Sequence, residues 1–273
     1  MYRPSELLLF LESIGTHPKK SLSQNFLIDG NIIRKIVETA QVVPGDLVVE
    51  IGPGPGALTE ALLQAGAHVI AIEKDTVLAG ALQRFSKAEN SLTVITEDVL
   101  KVRLEDHIPP GKKAKVIANL PYHITTPILT GLAPKHDMLQ SITVMVQKEV
   151  AERMTAPAGN HVYGSLTVFL AFYADVKYAF TVTRNCFLPP PKVDSAVVHL
   201  DVRKGKSVSD EDKFFKLTRS AFEQRRKMLR SSLRDLYTPE AVTKALEGLK
   251  LNPLARPEEL SIDHFIRLFE ALQ

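Results

Sequence analysis

Three carboxylates and a run of glycines follow short apolar segments at a spacing that makes a place for a nucleoside. Glu50-Ile51-Gly52-Pro53-Gly54-Pro55-Gly56 lies between a β-branched run and an amphipathic helical pattern. Glycine there lets the backbone approach a ligand at the carboxyl end of a strand, the usual crevice of an open α/β sheet. The next apolar run ends at Glu73, 19 residues after Gly54, where an acidic side chain can accept hydrogen bonds from both hydroxyls of a ribose. A third run ends at Glu97-Asp98-Val99, where a carboxylate can accept from the exocyclic amine of an adenine lying along the crevice. A nicotinamide enzyme and a methyltransferase can both use the loop and the ribose acid. The pattern is GxGxG rather than GxGxxG and no P-loop lysine follows it, which speaks against NAD and nucleoside triphosphates. Loop, ribose acid and adenine acid at three successive strand ends suit S-adenosylmethionine, with Gly52, Gly54, Glu73 and a carboxylate of Glu97-Asp98 as its contacts.

Asn119-Leu120-Pro121-Tyr122 follows the fourth apolar run directly. Beside a methyl donor these residue types have a chemical use. An aromatic amine such as adenine N6 is a poor nucleophile because its lone pair is delocalised into the ring. Accepting its two hydrogens at the Asn119 side-chain oxygen and the Pro121 carbonyl favours a pyramidal nitrogen with its lone pair aimed at the methyl. Tyr122 offers a stacking face for a base held out of its helix. Phe187, ahead of Pro189-Pro190-Pro191, either supplies a second stacking face or is a core aromatic before a proline turn. A sulfonium methyl transfers by in-line displacement, so positioning is the main task; neither a metal nor a catalytic histidine is needed.

The elements that must hold these residues are legible as period and run length. Val48–Ile51, Val69–Ile72, Thr93–Thr96, Val116–Ala118 and Ile142–Val146 read as five nearly continuous apolar strands alternating with helical patterns, hence βαβ units and a mainly parallel sheet covered on both faces. Two more strands, at about Val176–Val182 and Ser195–Asp201, are expected to close one edge as an antiparallel, hairpin-like pair. A polar stretch, Arg203–Ser207, reads as a linker. Beyond it Phe215, Phe222, Leu229 and Leu236 recur every seven residues, predicting one helix from about Asp212 to Leu236, and Thr238-Pro239 and Ser261 begin two more helices. The expected fold is therefore α/β and Rossmann-like over 1–202, including an N-terminal arm, with a small all-helical domain over 203–273.

Composition removes other classes. The chain has 273 residues, 34 Lys+Arg against 31 Asp+Glu, and 45% hydrophobic content, values of an ordinary globular protein rather than a disordered or fibrous one. Cys186 is the sole cysteine, so no intrachain disulfide, Cys-rich zinc site or CxxC redox pair exists. No apolar run approaches the roughly 18–20 residues that span a bilayer, and no secretory signal is visible; a cytoplasmic protein without membrane contact is expected.

Taken in order, Gln24–Leu27, Glu50–Thr59, Glu97-Asp98, Asn119–Tyr122, Val146–Arg153, Pro190–Val198 and Arg225-Arg226-Lys227 resemble the ribosomal RNA adenine N6,N6-dimethyltransferases, and most closely their small-subunit branch, the KsgA family. The resemblance runs from about Lys19 to the C-terminus. It implies S-adenosylmethionine as donor and S-adenosylhomocysteine as product. The implied acceptors are two adjacent adenosines near the 3′ end of small-subunit rRNA, each methylated twice, presented in an immature small subunit to a monomeric enzyme. It places cofactor contacts on Asn25, Leu27, Gly52, Glu73, Asp98 and Asn119, and the target base on Asn119, Leu120, Pro121 and Tyr122 with Phe187 on its other face. Departures are small: Pro55 stands where many relatives have Leu, and Lys74 where an apolar residue is common.

An rRNA substrate gives meaning to a local charge imbalance. From Arg219 to Arg234 there are six basic residues against Glu223 alone, and on one continuous helix Arg219, Arg226, Lys227, Arg230 and Arg234 share a side. Cations arrayed so gain affinity by neutralising phosphates and releasing counterions, so these residues, helped by Lys19 and Lys20, are expected to dock rRNA. Three other readings stay in view. An oxidoreductase leaves Asn119–Tyr122 unexplained. An erythromycin-resistance-type large-subunit rRNA methyltransferase is disfavoured by Leu120 and the Pro-Pro-Pro-Lys-Val-Asp-Ser run. A non-catalytic rRNA-binding assembly factor is disfavoured by the intact loop and Asn119–Tyr122.

Overall fold

A computed structural model describes residues 3–19, 22, 24–86, 91–224 and 226–273. Lys20 and Arg225 lie outside the described residues. Contacts gather the chain into two compact units, one reaching to Ala151 and resuming over Asp175–Lys204, the other formed by Glu152–Ala174 and Gly205–Gln273.

In the first unit the apolar runs become the strands of a seven-stranded sheet. After the short β1 (Phe26–Leu27) come β2 (Leu47–Ile51), β3 (His68–Glu73), β4 (Leu92–Thr96), β5 (Ala114–Asn119), β6 (Leu139–Gln147), β7 (Ala174–Val182), β8 (Phe187–Leu188) and β9 (Ser195–Val202). The sheet order is β4-β3-β2-β5-β6-β9-β7, with β4 through β6 all parallel and β9 antiparallel to β6. Val48, Val49, Val116, Ile117, Ile142 and Val144 have no exposed surface, which is why these strands are apolar at consecutive positions rather than alternate ones. The last strand inserts between β6 and β7, so the expected edge pair does form, with β7 outermost. The chain leaves β2 in one direction toward β3 and β4 and returns to pair β5 on the other side of β2. That reversal opens a crevice beyond the carboxyl ends of β2 and β5.

The helices that begin in this unit are α1 (Pro4–Ser13), α2 (Gly30–Thr39), α3 (Ala57–Gln64), α4 (Thr76–Ala81), α5 (Thr125–Leu132) and α6 (Lys148–Met154), the last of which runs on into the second. Sequence patterning gives no sign of β1 and β8, which pair antiparallel with Phe26 opposite Leu188 and Leu27 opposite Phe187. Two-residue strands carry no period, and this contact joins the N-terminal arm to a segment some 160 positions away.

The second unit contains α7 (Ser165–Tyr173), α8 (Glu211–Glu223), α9 (Leu229–Ser232), α10 (Pro239–Gly248) and α11 (Ile262–Ala271). Thr238 and Ser261 cap α10 and α11 as expected, accepting from the Ala241 and His264 amides. Two expectations differ from what is found. Residues 152–174 group with the C-terminal helices rather than with 1–202, because the rings of Phe169 and Phe172 on α7 pack against Phe215 and Phe214 at centroid distances of 4.8 and 5.4 Å. The single helix expected to Leu236 is broken: α8 ends at Gln224 (φ −122°, ψ 69°), and α9 restarts only after Met228 (φ −66°, ψ 152°). Beyond the break Leu229 and Leu233 are completely buried, and the Leu229 amide donates to the Ala255 carbonyl at 2.9 Å. The buried stripe of α8 is Phe214, Leu217, Thr218 and Ala221, with Phe215 beside it.

Candidate active site

A cleft in the first unit opens at the crevice between β2 and β5. Its lining brings together Asn25, Gly52, Gly54, Glu73, Asp98, Asn119, Leu120, Pro121 and Tyr122 from among the residues singled out by sequence. It also includes Leu22, Phe26, Lys74, Val99, His123 and Ile124. His123 and Ile124 were readable only as neighbours of the Asn119–Tyr122 motif; Leu22 carried no signal.

The floor of the cleft is the glycine loop. Gly52 and Gly54 adopt φ of +67° and +56°, a region that side chains rarely enter. A Cβ on Gly54 would also stand 3.1 Å from two carbons of the Phe26 ring, so a side chain there would crowd the N-terminal arm against the loop. Glu73, 6% exposed, is held at both oxygens: Oε2 accepts the Gly54 N–H at 3.0 Å and Oε1 accepts the Asp75 N–H at 2.8 Å. Burial raises its pKa, and those two N–H donors oppose the rise. Beneath the loop Glu50 is 1% exposed; Oε2 accepts from the Thr59 hydroxyl at 2.6 Å, and Oε1 has no partner among the described residues. Burial pushes the Glu50 carboxyl up to about 8, so near neutral pH it carries a proton.

Asp98 is not isolated at its strand end. Its Oδ2 accepts from Lys74 Nζ at 2.9 Å and its Oδ1 from the Leu100 N–H at 3.0 Å, and Lys74 holds the carboxyl below its ordinary range. Lys74, the departure from the family pattern, thus pairs with the acid expected to read the adenine.

At the end of β5, Asn119 donates from Nδ2 to the Asn25 carbonyl at 3.1 Å, which fixes the amide orientation and leaves Oδ1 as the acceptor. The Pro121 carbonyl, expected to take the second amine hydrogen, instead accepts the Ile124 N–H at 3.2 Å and the Thr125 hydroxyl at 3.3 Å. Leu120 donates its N–H to Met145 at 3.1 Å, while its carbonyl accepts nothing among the described residues. Of the two carbonyls, that of Leu120 is therefore the one left with acceptor capacity among the described residues. Tyr122 begins a short 3₁₀ turn, its hydroxyl 2.7 Å from Ser195 Oγ.

Three expected contacts are not presented as the sequence implied. Phe187 is 2% exposed and belongs to the core cluster with Val182, Met145 and Val197, so its core alternative is the one found. Leu27 is half-buried against the same cluster and does not line the cleft. Lys19 is engaged: its Nζ lies 2.7 Å from Asp75 Oδ2, which also accepts from Gln24 Nε2 at 3.3 Å. Burial raises the Asp75 pKa, but the bonds from Lys19 and Gln24 outweigh it and the net shift is downward. This clasp ties the N-terminal arm beside the cleft.

In the second unit Arg219, Arg226, Lys227 and Arg234 are exposed and Arg230 is half-buried. Because the helix breaks, they do not form one stripe. Arg226, Lys227 and Arg234 line a shallow hollow with Met228, Ser231, Pro239 and Arg256. Arg230 lines a different one beside Glu240, Lys244 and Glu247. Arg256 lies far from the basic run in sequence and gave no signal there.

Residues 15–273 match the family model described as ribosomal RNA adenine dimethylase. The chain is 55% identical over its whole length to the ribosomal RNA small subunit methyltransferase A of Protochlamydia amoebophila, covering 97% of that protein. It is 48% identical to the Chlamydia felis protein of the same name, covering 98% of this chain and 95% of that one. Among solved structures, a dimethyladenosine transferase from Plasmodium falciparum matches with a TM-score of 0.74 and 27% identity over 89% of this chain and 95% of that one. The 23S rRNA methyltransferase ErmE matches with a TM-score of 0.72 and 28% identity over 91% and 99%.

Proposed function

The chain belongs to the ribosomal RNA adenine dimethylase family, and from that membership we propose that it transfers methyl groups from S-adenosylmethionine to N6 of two adjacent adenosines near the 3′ end of small-subunit rRNA. The products are N6,N6-dimethyladenosines and S-adenosylhomocysteine. The observation that carries the reading is the Asn119 amide, oriented by the Asn25 carbonyl so that its oxygen is left to accept from an amine.

The residues of the cleft fit the donor. Glycines at positive φ let the loop backbone approach it, and Glu73, braced by two N–H groups, retains lone pairs for the ribose hydroxyls. Asp98, shared with Lys74, faces the adenine amine, and Asn25 belongs to the arm beside it. The bound cofactor supplies an electrophilic sulfonium methyl.

The chain's own work is orientation. Asn119 Oδ1 and the Leu120 carbonyl accept the two N6 hydrogens of the target, which disfavours delocalisation of the nitrogen lone pair. Pro121, with φ of −60°, sets the turn that separates these acceptors from Tyr122. The Tyr122 ring stacks on the base, and burial raises its phenol pKa, so it stays neutral and acts through its face. The methylated nitrogen is acidic and gives its proton to water.

Small-subunit rRNA is favoured over the large-subunit alternative by the 48–55% identity to small-subunit enzymes, against 28% to ErmE. The physiological partner we assign is an immature small subunit, met by a monomer in the cytoplasm. The exposed cations Arg219, Arg226, Lys227, Arg234 and Arg256 dock its phosphates, with Arg230 contributing less. Tritiated methyl transfer to unmethylated small subunits, followed by nucleoside analysis, tests the reading. Dimethyladenosine in small-subunit rRNA is expected; label appearing only in large-subunit rRNA overturns the substrate, and no transfer overturns the activity.

A further inference from the structure

The segment Pro190-Pro191-Lys192-Val193-Asp194-Ser195 has no part in the chemistry above. Its last residue nevertheless touches a side chain of the cleft lining. Ser195 opens β9, has no exposed surface, and sets its Oγ 2.7 Å from the hydroxyl of Tyr122, 73 positions earlier. Tyr122 is half-buried at the start of a three-residue 3₁₀ turn, an element too short to fix a side chain by its own packing. Among the described residues, Ser195 is the only hydrogen-bond partner of its hydroxyl.

Ser195 is itself firmly held. It stands opposite Gln147 in the β6–β9 register. Asp194 just before it accepts the Lys148 N–H at its carbonyl, 3.0 Å, and the Arg184 N–H at Oδ1, 2.9 Å. The hydrogen bond therefore joins a ring on a turn to the frame of the sheet. The demand on that ring is high, because Phe187 is buried and Phe26, the other aromatic on the cleft, lies against Gly54.

We propose that Ser195 is a positioning residue for the target base: it anchors the hydroxyl end of the Tyr122 ring against tilting and, through stacking, sets the height at which N6 meets Asn119 Oδ1 and the Leu120 carbonyl. This rests on the reading that Tyr122 carries the base. The role is one of geometry rather than affinity, since a ring free to tilt still covers the base but no longer holds it in line.

Single-turnover methyl transfer with Ser195→Ala, Tyr122→Phe and the double variant tests it. Each single variant is expected to lose about tenfold in kcat, the equivalent of one oriented hydrogen bond, with cofactor Kd and subunit KM unchanged. The double variant should be no slower than either single, because both remove the same bond. Tyr122→Phe removes the bond from the other side, so a Ser195→Ala protein that fails to fold does not prevent the test. Wild-type kcat in folded Tyr122→Phe, or losses that multiply in the double variant, overturns the positioning role. Tyr122→Ala separates the two ideas: wild-type turnover there removes Tyr122 from base binding altogether, whereas a large loss there with normal Tyr122→Phe rejects Ser195 alone.

Discussion

The Asn119 side chain and the Asn25 main chain are joined by one hydrogen bond of 3.1 Å that spans 94 positions of sequence. It ties the end of β5 to the N-terminal arm, and so makes the proposed acceptor for the target amine and the wall of the cleft parts of one arrangement. Asn119→Ala removes both the oriented oxygen and the tie. Methyl transfer is expected to fall by roughly a hundredfold or more, the scale of a misplaced reacting group. Cofactor affinity should weaken only modestly and small-subunit binding not at all. Near-normal single-turnover rates would remove Asn119 from the mechanism.

Glu73 braces the glycine loop, because both of its oxygens already receive N–H groups, and its remaining lone pairs are the ones proposed for a ribose. Glu73→Gln keeps the volume but sets its NH2 against one of those N–H donors, so it loses the charge, one acceptor and half of the brace. Calorimetry is expected to show cofactor binding weaker by about 1–3 kcal/mol, the usual worth of a charge-assisted hydrogen bond. Unchanged affinity in a folded variant would exclude the ribose role.

Much of this arrangement was legible in the sequence, and the illegible parts have physical causes. Val48–Ile51 and Ile142–Val146 announce buried parallel strands because both of their faces are covered, and Gly52, Gly54 and Glu73 carry spacings that chemistry requires. The position of Phe187 was ambiguous, since an aromatic before a proline turn serves a core or a cleft equally well by composition. The Pro121 carbonyl reads as free in sequence, but the turn that occupies it, through Ile124 and Thr125, is set by three-dimensional packing. The Lys19–Asp75 and Tyr122–Ser195 pairs join distant segments through side chains, with no period to betray them. The basic run was read as one helix because the heptad of Phe215, Phe222 and Leu229 continues straight through the break.

Glu50 makes stability depend on pH in a defined direction. Its carboxyl is raised from 4.5 to about 8 by burial. Between those values the unfolded chain releases this proton while the folded chain keeps it, so the unfolded state binds fewer protons and stability falls as pH rises. The loss is complete above about 8 and absent below 4.5. Glu50→Gln, a permanently neutral isostere, is expected to flatten the denaturation profile between pH 5 and 8 relative to wild type. Parallel profiles would show that Glu50 ionises normally in the folded protein.

Lys19, expected from charge to meet RNA, instead pairs with Asp75, whose side chain is nearly inaccessible while that of Lys19 is 37% exposed. Lys19→Met keeps the stem and removes the ammonium, leaving Gln24 as the remaining side-chain donor to Asp75. The arm carrying Asn25 should loosen, weakening cofactor affinity by about three- to tenfold, as for loss of one partly exposed charged bond. The affinity for small subunits and its salt slope should stay at wild type. A fall in subunit affinity with normal cofactor binding would return Lys19 to the RNA surface.

The division of the basic run between two hollows predicts unequal roles for its members. Arg226, Lys227 and Arg234 share their hollow with Arg256 and with no carboxylate, although Arg234 has Asp235 at 3.7 Å on its outer side. Arg230 shares its own with Glu240 and Glu247, which reduce the local potential felt by a phosphate. Each phosphate neutralised by a cation releases counterions, so log Kobs falls with log salt by about 0.7–0.9 per contact. Replacing Arg226, Lys227 and Arg256 together with Ala should weaken small-subunit binding and lower the salt slope by roughly 2–3, with cofactor affinity unchanged. Arg230→Ala should change the slope by less than about half a contact. Filter binding across a salt series distinguishes the outcomes. A slope untouched by the triple variant would make the hollow an ordinary solvated surface, and a larger effect from Arg230 than from Arg256 would reverse the order set by their neighbouring carboxylates.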